Sequence, residues 1–86
     1  MNAAELITAL DAALAGDWHR AHDIVQQDEQ GPMACWIHAV LHKIEGDNWN
    51  SRYWYARTPH GYEEWDDARA ELQAIRNELK NSGTLK

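Results

Sequence analysis

The sequence has few of the residues that mark several common classes of protein. Its 86 residues include no Phe, one Cys and two Pro, and no two Lys or Arg residues are adjacent. The single Cys35 cannot form an internal disulfide, so it fits a reducing compartment, and we expect a buried thiol. Phosphate backbones and anionic membranes need clustered cations. A net charge of −6 with scattered basic residues therefore argues against nucleic acid and membrane partners.

Long apolar runs and strand-like alternation are also missing. No apolar stretch approaches the ~18 residues that a membrane-spanning helix needs. The first residues, MNAAELITALDAALAG, have no basic segment and contain Glu5 and Asp11. We therefore expect no signal peptide and predict a cytoplasmic protein. No segment alternates between apolar and polar residues over a useful length, which predicts that the fold has no sheet.

What the sequence does contain is helical periodicity in about five segments. Apolar residues recur every three or four positions, usually between a capping Asn, Asp or Pro and a Gly. The predicted helices run from Asn2 to Gly16, from Asp17 to about Val25, from Pro32 to Gly46, from Asp47 to about Arg57, and from about Tyr62 to Lys80. The last helix carries an apolar seam, formed by Trp65, Ala68, Leu72, Ile75 and Leu79. We predict one all-α domain over residues 1–81 and a flexible tail at 82–86.

The chain also contains an internal repeat. The pair Gly16-Asp17 recurs 30 residues later as Gly46-Asp47. In both copies a small residue follows four positions after the Asp, and a larger apolar or aromatic residue follows four positions later still; these are Ala21 and Val25, then Ser51 and Tyr55. The pattern predicts two helical hairpins in which the small residue lets two helices approach and the larger one fills the gap.

These positions resemble the tetratricopeptide and Sel1-like repeat family over residues 5–58. Gly46, Ser51 and Tyr55 match the turn, the small residue and the aromatic of that family, although the period is shorter than its ~34 residues. The resemblance implies two hairpins followed by a packing helix, and a scaffold that binds proteins or peptides. The string WIHAVLHKIEGD with the later YWY is also similar to a group of short, uncharacterised bacterial proteins, which implies a bacterial origin and no particular activity.

Histidines and a carboxylate form a polar stripe on the third predicted helix. His38 and His42 are four residues apart, and Glu45 follows three residues later, beside the apolar face. This spacing can present two imidazoles to one metal ion, with Glu45 as an oxygen ligand and His22 as a donor from the second helix. The same residues fit two other interpretations. One is packing with hydrogen bonds to neighbouring carbonyls or carboxylates, and the other is acid–base catalysis.

Aromatic residues are concentrated on the fourth predicted helix. Trp49, Tyr53 and Arg57 share one face of it, while Ser51, Trp54 and Tyr55 share another. One face must pack within the hairpin, and the other is free for the last helix, a partner or a ligand. Aromatic side chains beside Arg are typical interface anchors. The residues predicted to contact a partner or ligand are Trp49, Asn50, Tyr53, Trp54 and Arg57; core packing is the alternative.

Two functions remain open from the sequence. The first is a small cytosolic interaction module that binds a protein, a peptide or a second copy of itself, with no cofactor. The alternative is a zinc-like metal site or a His-based small-molecule site built on His22, His38, His42 and Glu45. The chain has no Ser-His-Asp order, Gly-rich phosphate loop or Cys-pair zinc motif. The sequence therefore favours a protein that is not an enzyme, without deciding the question.

Overall fold

The structure, a computed structural model, describes the backbone of residues 1–84 and the side chains of residues 1–81. These residues form five α-helices and one short 3₁₀ helix, and no strand occurs among them. The helices are α1 (Ala3–Leu14), α2 (Trp18–Val25), α3 (Pro32–Glu45), α4 (Asn48–Tyr55) and α5 (Ala68–Thr84), with the 3₁₀ helix (Tyr62–Glu64) between α4 and α5. The predicted all-α fold of about five helices is confirmed.

The two Gly-Asp turns of the repeat have nearly identical backbone geometry. Gly16 has a φ of 87° and Gly46 a φ of 83°, both in the left-handed region that favours glycine. The amide of Asp17 donates to the carbonyl five residues before it at 2.8 Å, and the amide of Asp47 does the same at 2.9 Å. Each Asp side chain then accepts from the amide three residues further on and caps the next helix.

The helices pack as two hairpins with α5 laid across them. In the first hairpin α1 packs on α2, in the second α3 packs on α4, and α5 contacts both α1 and α3. The small residues Ala21 and Ser51 are fully buried where the helices of each hairpin approach, and Val25 and Tyr55 fill the core one turn later. The Ser51 hydroxyl also donates to the Ala39 carbonyl at 2.7 Å. The packing predicted from the repeat is therefore present in both hairpins.

The last helix differs from its prediction at both ends. It begins at Ala68 instead of Tyr62 because the Asp67 carboxylate accepts hydrogen bonds from the amides of Arg69 and Ala70, which caps a new helix there. Trp65 therefore lies before the helix and outside its seam, whereas Leu72 and Ile75 are buried as predicted. The helix also continues to Thr84, past the predicted end at Lys80. Residues 85–86 of the predicted tail lie outside the described residues.

Candidate metal centre

Three histidines from two hairpins meet at the junction of α2 and α3. His22 comes from α2, and His38 and His42 come from α3. One ring nitrogen from each residue can be chosen so that all three lie within 4.8 Å of one another. The Nε2 atoms of His22 and His38 are 3.1 Å apart. Two nitrogens that bind one tetrahedral zinc ion at ~2.0–2.1 Å are themselves about 3.3 Å apart, so this pair already has nearly the required spacing.

The helices bring these rings together for identifiable reasons. His38 and His42 are four residues apart on α3, so their rings stack with centroids 5.0 Å apart. The ring of His22 meets them edge to face, with centroids 4.7 and 5.3 Å away. The helix that carries His22 is tied to α3 by the Trp18 indole N–H, which donates to the Leu41 carbonyl at 2.6 Å. The centre is therefore built across the boundary between the two hairpins.

Two indoles cover the outer faces of two of these imidazoles. Trp18 stacks on His22 with centroids 4.8 Å apart and planes 9° apart. Trp54 stacks on His38 with centroids 3.9 Å apart and planes 12° apart. These stacks limit how far either ring can turn. The first stack could have been predicted in part, because Trp18 lies four residues before His22 on the same helix; no local pattern predicts the second.

Glu45 lies beside the centre and contacts the other nitrogen of His42. Its carboxylate is 2.6 Å from His42 Nδ1, which leaves Nε2 of that ring available to an ion. A carboxylate on the far nitrogen of a ligating histidine is the common arrangement that fixes the ring orientation in metal sites. The structure thus places Glu45 against His42, and its role as a direct oxygen ligand stays a prediction. Carboxylate oxygens of Glu45 and Asp47 lie within 4.8 Å of a His42 nitrogen and of each other.

The imidazole of His38 is buried and neutral. It is 3% exposed, and its Nδ1 has no hydrogen-bond partner in the described part of the chain. Burial, reinforced by His22 and His42, lowers the pKa of His38 from 6.5 to about 3. Burial and His42 also lower the pKa of His22. An unpartnered buried polar atom costs about 1–3 kcal/mol. A neutral imidazole is the form that binds metals.

A second buried polar cluster, the Glu71 network, lies on the other side of α3. Glu71 is fully buried and accepts hydrogen bonds from Trp36 Nε1 at 2.8 Å, Lys43 Nζ at 2.9 Å and Tyr55 Oη at 2.6 Å. Burial and the Glu71 contact raise the pKa of Tyr55, which keeps the phenol protonated as a donor. The sequence analysis missed this network. Its signal was that Glu71 precedes Leu72 and lies four residues before Ile75, within the apolar seam.

The residues predicted to contact a partner separate into exposed and buried groups. Trp49 is 74% exposed and stacks on Tyr53 with centroids 5.9 Å apart. The Arg57 guanidinium lies over the Tyr53 ring at 5.1 Å and donates to its hydroxyl at 2.8 Å. We call these three residues the α4 outer face. Trp54 is instead half-buried against His38, and the Asn50 side chain donates to Asp47 at 2.6 Å within the turn.

The remaining histidines and the cysteine lie outside the centre. His19 is exposed and meets the edge of Trp18, while His60 stacks on Trp36 with centroids 3.6 Å apart. Cys35 is buried, as predicted, and its thiol lies 3.4 Å from the Glu29 carbonyl. His19 therefore supplies a natural control for experiments on the three clustered histidines.

No protein-family model, curated protein or solved structure matches this chain. The resemblance to tetratricopeptide and Sel1-like repeats therefore stays a prediction that depends on the residues quoted for it. No helix in the described residues is long and apolar enough to cross a membrane. The functional argument accordingly depends on the geometry of the site.

Proposed function

We propose that the protein binds one divalent transition-metal ion, such as Zn²⁺, through the Nε2 atoms of His22, His38 and His42. The observation that carries the proposal is the convergence of three imidazoles, whose donor nitrogens lie within 4.8 Å of one another. Neutral imidazole suits zinc, copper and nickel ions, and three such ligands are a known zinc-binding set. The carboxylate of Glu45 on His42 supports the same function, because it orients that ligand.

The hydrogen bonds of the three rings favour this function over simple packing. A histidine that only packs beside a helix seam normally donates to a backbone carbonyl or to a carboxylate. Here His22 and His38 face each other through their Nε2 atoms, so one nitrogen must act as donor to the other. Only His42 has a carboxylate partner. An ion between the rings would use the lone pairs of all three Nε2 atoms at once.

The bound ion would join the two hairpins. His22 belongs to the first hairpin and the other two ligands belong to the second, so coordination adds a link between α2 and α3. Because such a link exists only in the folded chain, the free energy of metal binding also stabilises the fold.

Isothermal titration calorimetry with Zn²⁺ tests the proposal on protein first freed of metal with a chelator. We expect one ion per chain for the wild type. We expect the same for His19→Gln, which changes an exposed histidine on α2, the helix that carries His22. His38→Gln removes a ligand, so its affinity should fall by more than the ~10–100-fold that is typical for loss of an orienting partner. The Zn²⁺ affinity of His22→Gln should fall equally. Because His22 is half-exposed, this variant controls for a folding defect caused by His38→Gln. Equal affinity in all four proteins, or no binding at all, would refute the proposal.

The α4 outer face supports a second candidate function, the binding of a peptide. Trp49 and Tyr53 are two of the four exposed large hydrophobic residues described. Such aromatic side chains beside an Arg are typical anchors of protein interfaces. We propose a peptide with one apolar anchor for Trp49 and one carboxylate for Arg57, because an exposed indole packs on apolar groups and a guanidinium pairs with carboxylates.

A displayed peptide library tests this second candidate. Peptides selected on the wild type should share an apolar residue and an acidic residue, and they should lose binding to Trp49→Ala. That exposed substitution should not affect folding. Selected peptides that bind Trp49→Ala equally well, or a wild type that dimerises in sedimentation experiments, would contradict the proposed occupant.

A further inference from the structure

The proposed metal centre supplies three protein ligands and has two carboxylates close behind one of them. We infer that the fourth coordination position of the ion takes a neutral donor, either water or an imidazole-type nitrogen, in preference to an anion. This inference depends on the proposed metal-binding function and adds the class of exchangeable ligand that the centre accepts.

The first step concerns the number of ligands. Within the part of the chain that the structure describes, the group that could hold this ion contains His22, His38 and His42, and no fourth His, Cys, Asp or Glu joins it. Zinc ions with three protein ligands keep the fourth position for water or for an external ligand, whereas structural zinc sites fill all four positions from the protein. The centre thus matches the open kind of site.

The second step concerns access from solvent. His38 and His42 are buried, but His22 is only partly buried, and the side chain of Glu45 is 41% exposed. The indole N–H of Trp18 is already used by the Leu41 carbonyl, so it offers no hydrogen bond to an added ligand. A small molecule would therefore approach from the side of the partly exposed residues, His22 and Glu45.

The third step concerns charge. Carboxylate oxygens of Glu45 and Asp47 lie within 4.8 Å of a His42 nitrogen. The one cationic side chain next to His42 in sequence, Lys43, is used inside the Glu71 network. Two negative charges thus offset the charge of a divalent ion bound to three neutral rings, so an added anion is attracted less strongly than it would be to an uncompensated ion, whereas a neutral donor loses little.

Cobalt substitution tests the inference, because the visible spectrum of Co²⁺ responds to each change of ligand. The protein is loaded with Co²⁺ and titrated separately with imidazole and with azide. We expect imidazole to change the spectrum and azide to bind at least about tenfold more weakly. In Glu45→Gln, which keeps an oxygen that can accept from His42, azide should bind about tenfold more tightly while imidazole binding changes little. Glu78→Gln, an exposed carboxylate change on α5, should behave as the wild type.

The possible failures are distinguishable. If Co²⁺ does not bind, the proposed function itself fails. If Co²⁺ binds but imidazole leaves its spectrum unchanged, the fourth position is already filled, for example by Glu45, and the inference is overturned. It is also overturned if azide binds the wild type as well as imidazole does, or if Glu45→Gln leaves the azide affinity unchanged.

Discussion

The two buried polar clusters on α3 differ in how completely their atoms are paired. In the Glu71 network one carboxylate accepts from an indole, an ammonium and a phenol, and the ammonium of Lys43 also donates to two backbone carbonyls. Its one negative and one positive charge cancel. In the metal centre, two ring nitrogens face each other at 3.1 Å and His38 Nδ1 has no partner among the described residues.

This difference separates a cluster that supports the fold from one that is suited to a ligand. A fully paired buried network gains from each of its hydrogen bonds and leaves nothing for an added molecule. An incompletely paired cluster keeps ring nitrogens close together that a cation can bind, and its pairing is not complete without an added partner. The Glu71 network is therefore expected to control stability, and the metal centre to control binding.

The largest expected effect comes from breaking the Glu71 network. Glu71→Ala leaves the buried ammonium of Lys43 without its carboxylate, and removing one partner of a buried ion pair typically costs 3–5 kcal/mol. We expect the free energy of unfolding in urea to fall by about that amount. Glu78→Ala, an exposed change on the same helix, should stay within about 0.5 kcal/mol of the wild type. A loss below about 1 kcal/mol in Glu71→Ala would show that the network does not stabilise the fold.

The next largest effect is the gain in stability when a metal ion fills the candidate metal centre. Zn²⁺ at a free concentration 100 times its dissociation constant should raise the free energy of unfolding by about 2.7 kcal/mol. Zn²⁺ should raise the free energy of unfolding of Glu78→Ala by as much, and that of His38→Gln by little. Urea unfolding with and without Zn²⁺ measures the difference. An equal gain in His38→Gln would mean that the ion binds elsewhere.

The smallest effect over a single pH unit is the pH dependence of the metal-free protein. The pKa of His38 is about 3 in the folded chain and 6.5 in the unfolded chain. Between these values the unfolded state holds a proton that the folded state lacks, so stability falls as the pH drops from about 6.5 towards 3. One proton gives a slope of at most about 1.4 kcal/mol per pH unit.

The matched comparison for this pH dependence is His38→Gln, measured in chelator by urea unfolding at several pH values. The carboxylates of both proteins titrate in the same way, so the wild type should lose stability more steeply than the variant. Parallel curves would show that the His38 imidazole is not kept neutral by the fold.

The features that the sequence predicted correctly have local causes. The Gly16 and Gly46 turns, the Asp caps and the buried Ala21 and Ser51 depend on residues within a few positions of one another. The spacing of His38 and His42 is equally local, and the sequence also placed His22 near them, whereas its role as a metal donor stays a prediction.

The features that were missed depend on contacts between distant segments. Glu71 can be buried because donors from α3 and α4 converge on it. No local sequence pattern predicts those donors. The stacking of Trp54 on His38 needs the observed packing of α4 on α3. The start of α5 at Ala68 follows from capping by Asp67, which competed with the helical periodicity beginning at Tyr62.

The positions of His42 and Lys43 on α3 restrict where the chain can tolerate an insertion. These neighbours differ by about 100° around the helix, and they serve opposite clusters. One residue inserted between His38 and His42 would turn the rest of α3 by about 100°. The His42 imidazole and the Lys43 ammonium would then both leave their clusters. The connection at residues 26–31 carries neither group, so insertions should be tolerated there far better than in α3.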